Sequence, residues 1–316
     1  MRADGRIESL LNLGLLLLLG LLWGMPYALT KVALATIPPV TMVAARVASA
    51  AAVLWIVVWI VGRKQPQRLD CIPQLFVQGV VGCLIPHTLI AFGQQTVDSG
   101  LAAILNSMTP LFVCLIGIAY IQQERLTAGR WFGASVGLVG VVMVAGVNAL
   151  AGFGQSMIGQ LAIVLATFSS AVSVIYGRRL NDIPPEIAAA GTLTSAAVVL
   201  IPLCFWVEAP LQTEPSLASL VALLANAIAA TALGFVVYFR LIRTIGSMGT
   251  ASVGYLKPAV GVLIGCALVG EHFTWTMAVG LIAILIGVAA INQAEALWAF
   301  RCQSTHSGPD TVAKRA

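Results

Sequence analysis

The sequence predicts an all-helical integral membrane protein, and three observations support this: composition, the length of the apolar stretches and the placement of the cations. Of the 316 residues, 59% are hydrophobic and 9% are charged. Soluble domains carry about 25% charged residues, so we expect a bilayer to be the solvent of this chain. Membrane-spanning backbone is helical or forms a closed barrel, and continuous apolar stretches of about 20 residues are typical of helices.

Ten apolar stretches of this length follow one another with short connections. They cover residues 12–33, 37–61, 73–93, 98–120, 128–148, 158–177, 187–207, 217–240, 248–269 and 275–296. We expect each stretch to be a transmembrane helix, and we expect no separate soluble domain. The N-terminus (1–11) precedes them, and the polar tail (297–316), which contains Gly308-Pro309, is predicted to be disordered.

The cations alternate between connections, and this alternation predicts the topology. The even-numbered connections carry the positive charges Arg63, Lys64, Arg68, Arg125, Arg130, Arg178, Arg179, Arg240 and Arg243. The odd-numbered connections carry mainly the acidic side chains Asp98, Glu208, Glu214 and Glu271. Because positively charged loops remain in the cytoplasm, we expect both termini to be cytoplasmic and the linker at 149–157 to be periplasmic.

The chain contains an internal repeat, in which residues 99–142 align with residues 247–288. The matched residues include Pro110 with Pro258, Gly133 with Gly280 and Gly140 with Gly287. Two five-helix repeats are therefore predicted, at 12–148 and 158–296. Because five is an odd number, two such halves in series have opposite orientations. Inverted repeats of this kind are the plan of many secondary transporters, which bind their substrate near the midplane between the halves.

Several short motifs carry a resemblance to a known family. They are Trp23-Gly24, the alanine-rich fourth helix with Pro110, Glu124-Arg125-Leu126, Tyr255-Leu256-Lys257-Pro258 and Gly270-Glu271. As an ordered set in both halves, from about Leu13 to Asn292, they resemble the EamA-type transporters of the drug/metabolite transporter superfamily. The second turn, which reads Glu271-His272-Phe273-Thr274, departs slightly from that pattern. The resemblance implies ten helices around a central cavity and movement of small metabolites across the inner membrane, without fixing the substrate.

Lys257 is the first candidate for substrate binding. It lies about eight residues into its predicted helix, which is roughly 12 Å at 1.5 Å per residue, and charges at such depth usually face a water-filled cavity. Snorkelling of its side chain to the headgroups is the alternative. No Asp or Glu lies at the centre of any predicted helix. We therefore expect Lys257 to be the counter-charge for a substrate carboxylate.

Two further ionisable residues lie within predicted helices. Arg46 is either a second cavity cation or a partner for helix carbonyls and headgroups. His87 either hydrogen-bonds a neighbouring helix or titrates near neutral pH and couples transport to protons. The residues alone leave both alternatives open, and we name both side chains as candidate substrate contacts.

Polar and aromatic side chains near the matched prolines complete the predicted site. Asn106 and Thr109 precede a proline in the fourth helix, and the repeat offset matches Thr109 with Lys257. This match predicts a cavity in which only one half carries the charge. Trp23 and Tyr255 are candidates for stacking on a substrate, although aromatic residues in apolar helices also serve as packing or interface anchors.

Proline is expected to interrupt three of the helices, because it removes a backbone donor and clashes with the carbonyl four residues earlier. The candidate helix breaks are Pro26, Pro110 and Pro258. We expect no catalytic residue, metal or cofactor, since the one G-x-S-x-G match, at residues 133–137, lacks the strand–turn–helix context of a nucleophile elbow. The expected partners are a small-molecule substrate, membrane lipids and either protons or a counter-substrate, with no nucleic acid.

These observations together lead to one functional hypothesis and its alternatives. The hypothesis is a secondary transporter that exports amino acids or related carboxylate-bearing compounds by alternating access. Within transport, the alternative is a broad-specificity drug exporter. Outside transport, the alternatives are a membrane enzyme acting on lipid substrates and a scaffold that transports nothing.

Overall fold

The computed structural model describes residues 2–62, 71–97, 99–120, 128–145, 156–264 and 275–306. The described residues form helices and their connections, without a strand. The first half contains α1 (Arg2–Gly24), α2 (Pro26–Leu34), α3 (Pro39–Ile60), α4 (Cys71–Gly79), α5 (Ile85–Gly93), α6 (Ser99–Asn106), α7 (Thr109–Tyr120) and α8 (Ala128–Ala145). The second half contains α9 (Met157–Tyr176), α10 (Pro185–Val207), α11 (Leu217–Ala225), α12 (Gly234–Ala251), α13 (Val253–Ile264) and α14 (Trp275–His306).

Six helical stretches of the described residues are long and apolar enough to cross a membrane. They are Leu10–Leu34, Pro39–Ile60, Cys71–Gly93, Met157–Leu180, Pro185–Val207 and Leu217–Ala251. Three shorter apolar helices are Leu101–Gly117, Trp131–Met143 and Ala278–Ile291. Trp59, Trp206 and Trp275 are 82%, 87% and 83% exposed. Such apolar side chains on the outer surface indicate that lipid covers it, because soluble monomers rarely expose large apolar patches.

Both halves contain a π-helical segment at corresponding positions. Val80–Leu84 joins α4 to α5, and Asn226–Leu233 joins α11 to α12. The wider π turn changes the direction of the backbone hydrogen bonds, and such segments are frequent at functional sites. Each segment lies in the third predicted helix of its repeat, so the two halves share this local distortion.

The predicted helix breaks differ among the three prolines. Pro26 and Pro110 lie in the first turn of α2 and α7, where proline is tolerated because the first N–H groups have no intrahelical partner. Pro258 instead lies inside α13, and the chain is interrupted earlier, at Ser252. A sharper break occurs at Gly246, whose φ of 73° is accessible to glycine without strain.

The α8 and α14 helices pack through glycines in an antiparallel arrangement. A Cβ atom on Gly133 would lie 2.7 Å from the Gly287 carbonyl oxygen, and one on Gly140 would lie 2.7 Å from the Gly280 carbonyl oxygen. The sequence repeat equates Gly133 with Gly280 and Gly140 with Gly287. The contact is therefore reciprocal, as it is when a two-fold axis relates two equivalent helices.

The ends of the chain and its turns bear on several predictions. The α14 helix continues to His306, past the predicted end at residue 296, because residues 297–306 contain no Gly or Pro to stop it. The turns with Glu124 and Glu271, the linker at 149–155 and residues 307–316 lie outside the described residues.

Candidate functional site

A cavity lies between the helices of the two halves. Its lining comes from α1, α2, α3, α5, α6, α7, α9, α12 and α13 and from both π-helical segments. The empty space among these side chains is about 930 Å³, part of it open to the outside. The α8, α10 and α14 helices contribute no described lining residue, and they pack against helices that do: α10 against α3, and α8 and α14 against α13.

Lys257 reaches into this cavity from α13. Its Nζ donates a hydrogen bond of 2.9 Å to Oδ1 of Asn106 on α6. The same Nζ lies 5.1 Å from the centre of the Trp23 ring, within the range of a cation–π interaction. The carbonyl of Gly254, which Pro258 leaves without its usual donor, belongs to a residue of the same cavity lining. The predicted intramembrane cation is thus held by an uncharged amide and an aromatic ring.

Trp23 is fixed in place by the second half of the chain. Its Nε1 donates a 2.9 Å hydrogen bond to the carbonyl oxygen of Ala230 in the second π-helical segment. The rings of Phe235 and Tyr238 lie 6.1 and 5.4 Å from the Trp23 ring, as in ordinary aromatic pairs. A Cβ on Gly234 would lie 2.5 Å from Nε1 of Trp23, so glycine makes room for the ring. This aromatic cluster forms one wall of the cavity.

Arg46 and His87 line the cavity beside Lys257. His87 Nδ1 lies 3.3 Å from Sγ of Cys83, one turn earlier, and its ring meets Phe235 edge to face. Arg46 and Lys257 line the same cavity as His87. Arg46 is only 7% exposed, and its buried Nε has no hydrogen-bond partner among the described residues. The structure thus brings three basic side chains to one cavity.

The remaining predicted contacts divide into two groups. Asn106 and Thr109 line the cavity, and the Thr109 hydroxyl donates a 2.8 Å hydrogen bond to the Asn106 carbonyl. Tyr255 does not belong to the described lining. It is fully buried, with its ring where a Cβ of Gly137 would be and its hydroxyl donating to the Ala134 carbonyl at 2.7 Å. Its position favours the packing alternative.

Sequence reasoning missed Thr30 and Asn226, which belong to a second set of polar side chains in the cavity. Asn226 donates through Nδ2 to Oγ1 of Thr30 at 3.2 Å, and Gln94 lies at the end of α5. All three residues line the cavity and are at most 5% exposed. Asn226 stands alone in an apolar stretch, which was the available signal, because an amide is rarely placed among apolar side chains without a partner.

The two repeats match a known family. The model of the EamA-like transporter family matches residues 11–146 and, a second time, residues 157–293. The chain belongs to the EamA-like transporter family. The resemblance seen in the sequence motifs is therefore confirmed.

Relatives of this EamA-like chain carry transporter names. It is 26% identical over 294 residues to the uncharacterized inner membrane transporter YedA of Escherichia coli K12, with 91% of this chain and 94% of YedA covered. It is 24% identical over 301 residues to the probable amino-acid metabolite efflux pump of Salmonella typhimurium, with 87% and 92% covered. A crystal structure at 20% identity has a TM-score of 0.72 over 90% of this chain and 97% of that chain, and it shows the same fold.

The charged side chains among the described residues that line the cavity of this EamA-like transporter are all basic. Arg46 and Lys257 line it, and none of its described lining residues is Asp or Glu. The described residues also contain no cluster of His, Cys, Asp and Glu arranged to hold a metal. A buried cation is stable only when it is paired or hydrogen-bonded. The arrangement is therefore suited to an anionic group entering from solution.

Proposed function

We propose that this protein is a secondary transporter that exports amino acids or related carboxylate-bearing compounds across the inner membrane. The observation that carries the proposal is the charge of the cavity, where Lys257 and Arg46 face no described acidic residue. A carboxylate that binds these cations replaces the water that they lose on burial, and charge-assisted hydrogen bonds to a carboxylate are about twice as strong as neutral ones. Trp23, on the wall beside Lys257, packs against the rest of the substrate.

The proposed mechanism is alternating access by two inverted five-helix repeats. The reciprocal contact of α8 with α14 and the paired π-helical segments support the inverted arrangement. The six long helical stretches, the three short ones and α13 support a count of ten spans. With the positively charged connections inside, both termini are cytoplasmic. Rocking of one half against the other then opens the cavity to each side in turn, driven by protons or by a counter-substrate.

Counterflow in proteoliposomes tests this proposal. Vesicles are loaded with one unlabelled amino acid or organic acid, and the uptake of the labelled form is followed. Accumulation of a carboxylate-bearing solute, absent from protein-free vesicles, is the expected result. A folded protein that accumulates none of them contradicts the proposal.

A broad-specificity drug exporter is the second candidate, and the aromatic wall favours it. Trp23, Phe235 and Tyr238 offer apolar surface that a hydrophobic compound without a charge can cover. Counterflow of neutral aromatic compounds, with unchanged rates after Lys257→Gln, would select this candidate over the carboxylate transporter.

A further inference from the structure

The cavity lining contains polar side chains of two kinds. Arg46, His87 and Lys257 are basic and form what we call the cationic end, whereas Thr30, Gln94 and Asn226 are uncharged and form the polar end. Gln94 follows His87 by seven residues on α5, which corresponds to about 10 Å along the helix. Asn226 precedes Ala230, whose carbonyl binds Trp23, by one turn. Gln94 therefore lies about two helical turns from His87, and Asn226 lies one turn from the residue that holds Trp23 beside Lys257.

The polar end contains buried amide atoms that lack partners. Oδ1 of Asn226 and both Oε1 and Nε2 of Gln94 have no hydrogen-bond partner among the described residues. Asn226 is 1% exposed and Gln94 is 5% exposed. Buried polar groups in folded proteins are normally hydrogen-bonded, so atoms that find no partner in the protein are suited to bind a ligand or a water molecule. A ligand that offers both a donor and an acceptor satisfies both amides.

The charges in the cavity define which ligand group fits there. Arg46 and Lys257 line the cavity, whereas none of its described lining residues is acidic. A positively charged group on the ligand, in addition to its carboxylate, would be repelled by these cations, and repulsion is strong where the local dielectric is low. An uncharged amide or hydroxyl meets no such repulsion and pairs with the amides of Asn226 and Gln94.

From these observations we infer that the transported carboxylate carries a second, uncharged hydrogen-bonding group several bonds away, which binds Asn226 and Gln94. This inference rests on the proposed function, because it assumes that the carboxylate occupies the cationic end. Within the proposed substrates it favours net-anionic amides and hydroxy acids over compounds that end in an ammonium group.

A matched series of five-carbon acids tests the inference. Valerate ends in a methyl group, glutaramate in an amide and δ-aminovalerate in an ammonium group, and all three carry the same carboxylate. Initial counterflow rates are measured for each acid in proteoliposomes of the full-length protein. We expect glutaramate to exceed both other acids by about tenfold, as expected for a buried hydrogen bond that would otherwise be missing.

Two variants identify the residue responsible. Asn226→Ala should lower the ratio of the glutaramate rate to the valerate rate from about ten to about one. Asn226→Asp supplies a carboxylate at the polar end, so it should reverse the preference toward δ-aminovalerate, a gain that a misfolded protein cannot show. Thr192→Val is the control, because the Thr192 hydroxyl is likewise buried without a described partner but lies outside the cavity lining.

The outcomes separate the inference from the proposed function. Equal rates for the three acids, or an unchanged preference in Asn226→Asp, overturn the inference and leave the carboxylate transporter standing. Absence of counterflow for all three acids overturns the inference, and it overturns the proposed function as well when no amino acid or organic acid of the wider panel accumulates.

Discussion

The α8–α14 contact and the cavity differ in how closely their helices pack and in whether their polar atoms are paired. In the first, Gly133 and Gly287 bring two backbones together and leave no space. In the second, buried polar atoms of Arg46, Gln94 and Asn226 remain without described partners. Helices in lipid associate through close packing of small residues, so the first region supplies stability. The second leaves polar atoms unpaired, which is expected where a substrate completes the contacts.

The largest expected effect comes from breaking the glycine contact. Gly133→Leu places a side chain where a Cβ alone would lie 2.7 Å from the Gly287 carbonyl oxygen. Because a backbone atom cannot move aside as a side chain does, we expect a loss of at least about 3 kcal/mol of stability. Thermal unfolding of the purified protein in detergent measures it. In the control, Gly14→Leu, the Gly14 Cβ position has nothing within 4 Å. Equal melting temperatures for the two variants would show that the contact does not support the fold.

The next largest effect is expected when a substitution removes a positive charge from the cavity. Lys257→Gln is expected to lower carboxylate counterflow by about 10- to 100-fold, because a charge-assisted contact with the substrate is lost. The melting temperature should stay the same or rise, since the variant no longer buries a cation held by only Asn106 and an aromatic ring. Lys257→Arg, which keeps the charge, should retain part of the rate. A large fall in melting temperature with unchanged transport would assign Lys257 a structural role and no role in substrate binding.

Much of the fold was predictable because apolar length and charge placement are local properties of the sequence. The repeat also placed Pro110 and Pro258 at matching positions, and both flank polar residues of the cavity. The exact place of the interruption near Pro258 was not predictable, because it occurs at Ser252 and not at the proline. The α13 helix tolerates Pro258 because the carbonyl that loses its donor is that of Gly254, which lines the cavity.

The site was only partly predictable from sequence. Lys257 and Arg46 stood out because charge within an apolar helix is rare. The bond from Trp23 to Ala230 joins residues 207 positions apart, and the pairing of Asn226 with Thr30 spans 196. No local pattern encodes such contacts. Tyr255 was named as a candidate substrate contact but packs on Gly137. The sequence does not distinguish the two roles, because both require an aromatic residue.

A smaller effect is expected outside both regions, where Glu208 caps α3. Its carboxylate accepts hydrogen bonds from the backbone N–H groups of Val40 and Thr41, at 3.0 and 2.8 Å, and from the Thr41 hydroxyl at 2.7 Å. Glu208→Gln should cost about 1 kcal/mol, since an anion at a helix N-terminus is favourable and an amide keeps only one oxygen. Thermal unfolding against Glu214→Gln, at an exposed position, measures the difference. If the two variants melt alike, the cap contributes nothing.

The smallest effect concerns Trp23, which lines the cavity and is also hydrogen-bonded to the second π-helical segment. Trp23→Phe keeps an aromatic ring near Lys257 but removes the Nε1 donor to the Ala230 carbonyl. We expect a loss of about 1 kcal/mol of stability and a change of less than about tenfold in carboxylate counterflow, because the cation–π partner remains. Trp23→Ala, which removes the ring as well, should lower transport further. If both variants transport alike, the ring does not contact the substrate, and Trp23 serves only to pack the helices that form the cavity wall.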